Sequence, residues 1–297
     1  MTDTKGLETF ARHLEESGDY RVLRRLIPRP PQPTLASHRI GIILDLETTG
    51  LDTARDEVIE IAMVKFGYAR DDRVTHVIDT FQAFQQPTAP ITPAIAELTG
   101  ITDAMVAEHR IDPDELAAFG DGASANVIIA HNASFDRKVA ERFWPFFTDM
   151  NWACSATGVD WKSIGFSGAK LDCLLAGCGL FHGAHRALDD CNAVLEVLAR
   201  EVPDAGKSGL AFLLERARRT THRVWAESSP FELRHELKAR GYRWSDGSDG
   251  RPRAWYADVD DGDLESELAF LRTEIYQCDT EIAHHAITAR DRYSNRV

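Results

Sequence analysis

The chain has 297 residues, 43% hydrophobic and 27% charged, with a formal net charge of −13, which suits one large globular domain plus a smaller one, or two domains. No apolar run approaches the roughly 20 residues needed to span a bilayer, and the polar start Met1-Thr-Asp-Thr-Lys5 lacks a signal-peptide core, so a cytoplasmic protein with no membrane contact is expected. The negative balance argues against a protein that coats nucleic acid through a uniformly basic surface, and five cysteines without CxxC spacing argue against a disulfide framework or a zinc site.

In chain order, Leu7, Phe10, Leu14, Val22, Leu23 and Leu26 predict an amphipathic helix or helical pair over residues 1–27, broken near Gly18. Four prolines in Ile27-Pro-Arg-Pro-Pro-Gln-Pro-Thr34 forbid regular structure, so residues 28–38 read as a stiff linker; a docking ligand for a partner is the less common meaning of such a tract. From Arg39 a strand runs into Gly41-Ile-Ile-Leu-Asp-Leu-Glu-Thr-Thr-Gly50. Side chains alternate along a strand, so Asp45 and Glu47 project to one side. Held that close, two carboxylates repel, and a divalent cation removes the difficulty. A strand end whose acids merely face water is the plainer reading of this pair taken alone.

Residues 58–67 and 75–81 read as further strands, 87–119 as short helices and turns, and Val127-Ile-Ile-Ala130 as a strand buried on both faces. Helical patterns follow over 134–143, 172–176 and 187–200. A meander of strands followed by strand–helix alternation predicts an α/β domain over 39–202, with a mixed sheet flanked by helices. A small α+β module is predicted over 207–280, with helices at 210–219, 231–239 and 264–276 and strands at 221–226, 242–244 and 254–256. Residues 281–297 are polar and read as a flexible tail.

Two more stretches carry chemistry. Ala130-His-Asn-Ala-Ser-Phe-Asp136 follows the buried strand and opens a helix, bringing Asp136 to the carboxyl edge of the sheet where ligands gather. His182-Gly-Ala-His-Arg-Ala-Leu-Asp-Asp190 leads a loop into another helix. Together the three patterns resemble the DEDDh family of 3′-5′ exonucleases, the group containing the proofreading epsilon subunit of bacterial replicative polymerase, ribonuclease T and oligoribonuclease. Its first motif matches Asp45-Leu-Glu47, its second Asp136, and its third, a histidine and an aspartate separated by four residues, matches His185 and Asp190. That spacing sets aside His182 and Asp189. Leu98-Thr-Gly-Ile-Thr-Asp103 resembles a further segment of the family, with Thr99 where a histidine is common. The resemblance covers about residues 39–201.

The resemblance implies a ribonuclease H-like fold and a hydrolase that removes nucleoside 5′-monophosphates from a free 3′ end, DNA favoured over RNA. It implies two divalent ions, Mg²⁺ or Mn²⁺, held by Asp45, Glu47, Asp136 and Asp190; hard oxygen donors suit such ions, and a pair of them can clamp an in-line displacement at phosphorus. His185, with an unperturbed pKa of about 6.5, is the expected general base. The backbone of Thr48, Thr49 and Gly50 is expected near the terminal nucleotide, with His131 and Asn132. Phe135 is either a base-stacking residue or core. Roles in DNA repair or as a polymerase-associated proofreading subunit, an RNA-processing exoribonuclease, and a non-catalytic binding protein are the alternatives. Oligomeric state is left open.

Between residues 207 and 253 eleven Lys or Arg face six acids, a window of +5 in a chain of −13. Trp225, Phe231, Tyr242, Trp244, Trp255 and Tyr256 are interleaved with them. Basic groups among aromatic faces suit single-stranded nucleic acid; the competing reading makes the aromatics the small module's own core. A protein partner is expected, if anywhere, at the N-terminal extension or this module.

Overall fold

The computed structural model describes residues 4–33, 39–120, 125–202 and 205–297, so residues 34–38 of the expected linker lie outside the described residues. Two compact units are present, Met1–Leu214 with Tyr293–Asn295, and Glu215–Arg292 with Arg296–Val297. Among the described residues no helix is long and apolar enough to cross a membrane.

The first unit is built on the strand that carries the acid pair. Strand β1 (Arg39–Thr48) pairs antiparallel with β2 (Val58–Tyr68), which pairs antiparallel with β3 (Val74–Phe84). On its other side β1 runs parallel to β4 (Ala125–Ala130), itself parallel to β5 (Trp152–Cys154), giving the order β3-β2-β1-β4-β5. This is a mixed five-stranded sheet flanked by helices, as expected from the sequence. The central strand is apolar because both its faces are covered: Ile42, Ile43 and Leu44 are fully buried, each contributing about 1.5–3 kcal/mol of transfer free energy. Helix α1 (Ala133–Phe143) follows β4, and helix α2 (Ala187–Ala199) packs against β1 and β2. Because β1 and β4 are parallel, the end of β1 and the start of α1 meet at the same edge of the sheet.

The flanking segments differ from their sequence reading. Among the described residues of the N-terminal extension only Thr4–Glu16 is helical; Arg24–Arg25 is extended and pairs in parallel with Leu180–Phe181. The proline tract is not a free spacer. The Gln32 amide donates to the Val77 carbonyl of β3 (2.8 Å), and Arg29 grips Glu196 of α2 through Nε (2.6 Å) and Nη2 (2.9 Å). Prolines exclude regular ladders but not docking on an edge strand that has free backbone groups.

The second unit is a four-stranded antiparallel sheet, order β7-β8-β6-β9, from β6 (Thr221–Ala226), β7 (Arg243–Trp244), β8 (Trp255–Asp260) and β9 (His284–Ile287). Helices Arg234–Ala239 and Leu264–Phe270 close one face, where Val224, Ala226, Leu237, Tyr242, Ala257 and Leu268 form the core. The tail expected to be flexible supplies β9, and Tyr293 packs on the core of the first unit. Short polar strands are invisible to a hydrophobicity pattern and are held by the neighbouring strand's hydrogen bonds. The basic label also needs correction: the unit as a whole holds 14 Lys or Arg against 16 Asp or Glu, because acids crowd the stretch after residue 253.

Gly41 sits where β1 passes the Phe66 ring of β2, and a Cβ there would come within 2.5 Å of the ring's Cζ. Phe66 is fully buried and cannot swing away. Gly41→Ala is therefore expected to lower stability by about 1–3 kcal/mol through overpacking, read as a lower urea midpoint at unchanged slope.

Candidate active site

Asp45 and Glu47 end β1 on the same face, both half-buried. The ladder with β2 shifts register between Glu47 and Thr48, and the chain then turns through Thr48-Thr49-Gly50. That turn is pinned by Asp56, whose carboxylate accepts from the Thr49 hydroxyl (3.1 Å) and the Asp52 amide (2.7 Å). Gly50 is needed because a Cβ would lie 2.5 Å from the same carboxylate.

Asp190 in the first turn of α2 completes the pair: one carboxylate oxygen from each of Asp45, Glu47 and Asp190 lies within 4.8 Å of the others. Asp136, in the first turn of α1 and only 3% exposed, stands behind this trio. Its amide donates to the Asn132 carbonyl (3.2 Å), the backbone amides of Asp136 and Leu46 favour its charged form, and the charges of Asp136 and Asp190 act on both Asp45 and Glu47. The structure thus brings all four expected acids to one place, three of them as a tight group.

Their environment disfavours simultaneous ionisation. Burial, with Asp190, Glu60 and Asp136 adding to it, pushes Glu47 up to about 8. Burial lifts Asp136 to about 7 against the pull of its two backbone donors. Asp45, hemmed in by burial and then by Asp136 and Asp190, is raised well above the carboxylate range. An all-oxygen donor group with this much unrelieved negative charge fits a hard divalent cation.

The two histidines of this loop are placed differently from each other. His185 is exposed, its backbone is left-handed (φ 64°), and its amide donates to Asp190 Oδ2 (3.0 Å). His182, set aside on spacing, is the one whose imidazole meets an acid. Its Nε2 lies 2.6 Å from Asp190 Oδ1, its Nδ1 is buried without a hydrogen-bond partner among the described residues, and the bond to Asp190 raises its pKa. Of the other expected contacts, His131 Nδ1 bonds the Ser155 hydroxyl (2.9 Å), and Asn132 precedes α1 with its Oδ1 accepting from Ser134 (3.0 Å). Phe135 packs on the core.

Sequence reasoning missed Glu60. It is fully buried on β2, directly across from Glu47, and accepts from Arg186 Nη2 (3.0 Å), the Ala187 amide (3.2 Å) and Gln82 Nε2 (2.6 Å). It therefore ties the start of α2 to the sheet. Its signal was a lone acid inside Val58-Ile-Glu-Ile-Ala-Met-Val64, a strand otherwise apolar.

A family model described as Exonuclease (RNase_T) matches residues 42–198. The DNA polymerase III PolC-type of Bacillus subtilis (strain 168) is 30% identical over 192 residues, 60% of this chain and 13% of that protein. The same protein of Thermotoga petrophila is 30% identical over 188 residues, 59% of this chain and 13% of its own length. The chain thus spans about an eighth of these curated relatives. Among solved structures, "Exonuclease X in complex with 5′ overhanging duplex DNA" shares 24% identity at a TM-score of 0.40, over 58% of this chain and 99% of the other. The nuclease domain of 3′hExo, a DEDDh family member bound to rAMP, shares 19% at 0.44, over 59% and 97%.

The raised carboxyls set the sign of a pH effect. Without metal, Glu47 stays protonated in the folded state up to about 8, whereas its ordinary value is 4.5. The folded protein therefore binds more protons than the unfolded chain between these values, and its stability falls as pH rises through that window. The melting temperature of chelator-treated protein is expected to drop from pH 5 to pH 8, and added Mg²⁺ or Mn²⁺ to raise it more at pH 8 than at pH 5; an equal metal response at both would contradict the assignment.

Proposed function

The chain belongs to the DEDDh-type 3′-5′ exonuclease family, and from that premise we propose that it hydrolyses phosphodiester bonds from the 3′ end of nucleic acid, releasing nucleoside 5′-monophosphates. The observation that carries this reading is the meeting of Asp45, Glu47 and Asp190 within 4.8 Å at the end of one strand, with Asp136 behind them. The four acids are the proposed ligands for two divalent ions, Mg²⁺ or Mn²⁺. Such ions, when bound, supply charge stabilisation to the attacking and leaving oxygens.

The chain's own groups do the rest. Asp45, nearest in charge to all the other acids, is the proposed shared ligand, and Glu47 orients the attacking water. His185 is the proposed general base, taking the water's proton on a ring nitrogen. Its exposed imidazole is free for that role, and its backbone amide holds Asp190 in place. His182 acts on Asp190 by orienting its carboxylate. Backbone from Thr48 to Gly50, with His131 and Asn132, borders the terminal nucleotide. DNA is the favoured substrate because the curated relatives over this region are DNA polymerases. The same fact favours, as a second reading, a proofreading role beside a polymerase, which co-purification with a polymerase would support.

With matched 3′- and 5′-labelled single-stranded DNA, duplex DNA and RNA, the wild type plus Mg²⁺ or Mn²⁺ is expected to give ladders shortening from a free 3′ end. Cleavage of closed circles would overturn the exonuclease reading. Asp45→Ala should abolish turnover.

The two histidines are separable. His185→Ala should lower turnover by about 10²–10⁴-fold, the usual worth of a general base, with metal binding retained, while His182→Ala costs less than about tenfold by the same measure. The reverse pattern would move the base to His182.

A further inference from the structure

We infer that the helix-free face of the second unit's sheet is a phosphate-binding site, and that its ligand is the backbone of a nucleic-acid strand. Strand alternation defines the face. Val224 and Ala226 of β6 and Ala257 of β8 point into the core, so Arg223, Trp225, Tyr256 and Asp258 point the other way. Direct partners share a face: Arg243 is opposite Tyr256, Asp258 opposite Arg223, and His285 of β9 also opposite Arg223.

The guanidinium of Arg223 is the centre of the site. The residue is 7% exposed, and its Nε (2.7 Å) and Nη2 (2.9 Å) form a fork on Asp258. Its Nη1 is buried with no hydrogen-bond partner among the described residues. Buried donors are normally answered, so this one marks a place prepared for an outside acceptor. Arg223 lines an open pocket of about 350 Å³ with Arg251, His284, His285 and Arg296, beside Glu227 and Val297; Arg251 is itself held by Asp249 through Nε (2.8 Å) and Nη2. Asp258 is already shared, since Arg243 Nη2 also reaches it (3.2 Å). Burial, and after it the neighbouring Arg223, hold the His285 imidazole below its usual value against the pull of Asp258 and Asp291.

The aromatics explain why phosphate, and not a base, is read. The guanidinium carbons of Arg223, Arg243 and Arg251 lie 4.8, 4.9 and 5.8 Å from the centre of the Tyr256 ring, so that ring is occupied in holding cations. Trp225 is 5% exposed and packs 5.1 Å from Tyr256, so neither ring is open for stacking. Guanidinium groups held in fixed positions suit phosphate oxygens, and with its fork on Asp258, Arg223 keeps Nη1 for one. The anion site stands on this unit's geometry alone; that a nucleic-acid strand carries the phosphate rests on the exonuclease reading.

The test uses the full chain in an Asp45→Ala background with chelator, so that nothing is hydrolysed, and follows anisotropy of a labelled single-stranded oligonucleotide. Arg243→Ala and Arg251→Ala, both outside the core, should each weaken binding several-fold and flatten the slope of log affinity against log salt by about 0.7 per lost contact, equally for oligonucleotides of different base composition and with unchanged melting curves. Arg223→Lys, which keeps the charge and loses the buried Nη1 donor, should do the same. Unchanged affinity and slope in the two alanine variants overturn the site. Displacement of the oligonucleotide by inorganic phosphate or a nucleoside 5′-monophosphate at equal concentration overturns the strand and assigns a free phosphate. If the wild type cuts no nucleic acid yet these binding losses appear, the hydrolytic reading falls while this site stands.

Discussion

Like-charge repulsion at the end of β1 is the constraint that the first unit is arranged around. Asp45 and Glu47 share a face by strand geometry, Asp190 enters from α2 and Asp136 from α1, and each added carboxylate raises the cost of ionising the others. Nothing in the apolar core beneath relieves this. A parallel β1–β4 pair brings two helix starts to one sheet edge, and helix starts are where anionic groups are tolerated, since unpaired amides and the helix dipole favour negative charge there. The fold therefore concentrates acids at the one edge where it can partly offset them, leaving a residue of repulsion for cations to satisfy.

Glu60 shows how closely that balance is drawn. A further buried acid opposite Glu47 would be intolerable alone, and it is matched by Arg186, whose charge also lowers the cost of ionising Glu47. Arg186 belongs to the same turn as His185 and begins α2. One half-buried ion pair thus ties this loop to the sheet and tempers the cluster, and such a pair serves positioning more than stability. His182 performs a related task on Asp190 from the other end of the loop.

What was legible in the sequence follows from this. Asp45 and Glu47 could be read from alternation along a strand and Asp136 from a helix start after a buried strand, whereas Asp190 was singled out by the family resemblance. Glu60 depends on the register between β1 and β2, and the His182 contact on how an exposed Gly-Ala loop closes, neither of which any short window encodes. The proline tract and the chain's last strand failed for one reason: each reads as unstructured because it has no core of its own, and each is ordered by backbone groups on a sheet edge contributed by distant sequence.

Charge in the second unit teaches the complementary lesson. Counted along residues 207–253 the segment is positive, yet the whole unit carries slightly more acid than base. Linear charge counting mixes the two faces of a strand, whereas alternation sorts them. Arg223 and Arg243 fall on one face because their neighbours Val224 and Tyr242 are needed in the core. The aromatics divide in the same way: Tyr242 and Trp255 pack with the core, while Tyr256 backs the guanidinium cluster. A unit without net positive charge can still present cationic groups on one face where two guanidinium groups share one aspartate, and the local field there is set by near neighbours, because charges farther away than a Debye length of about 8 Å are screened at physiological salt.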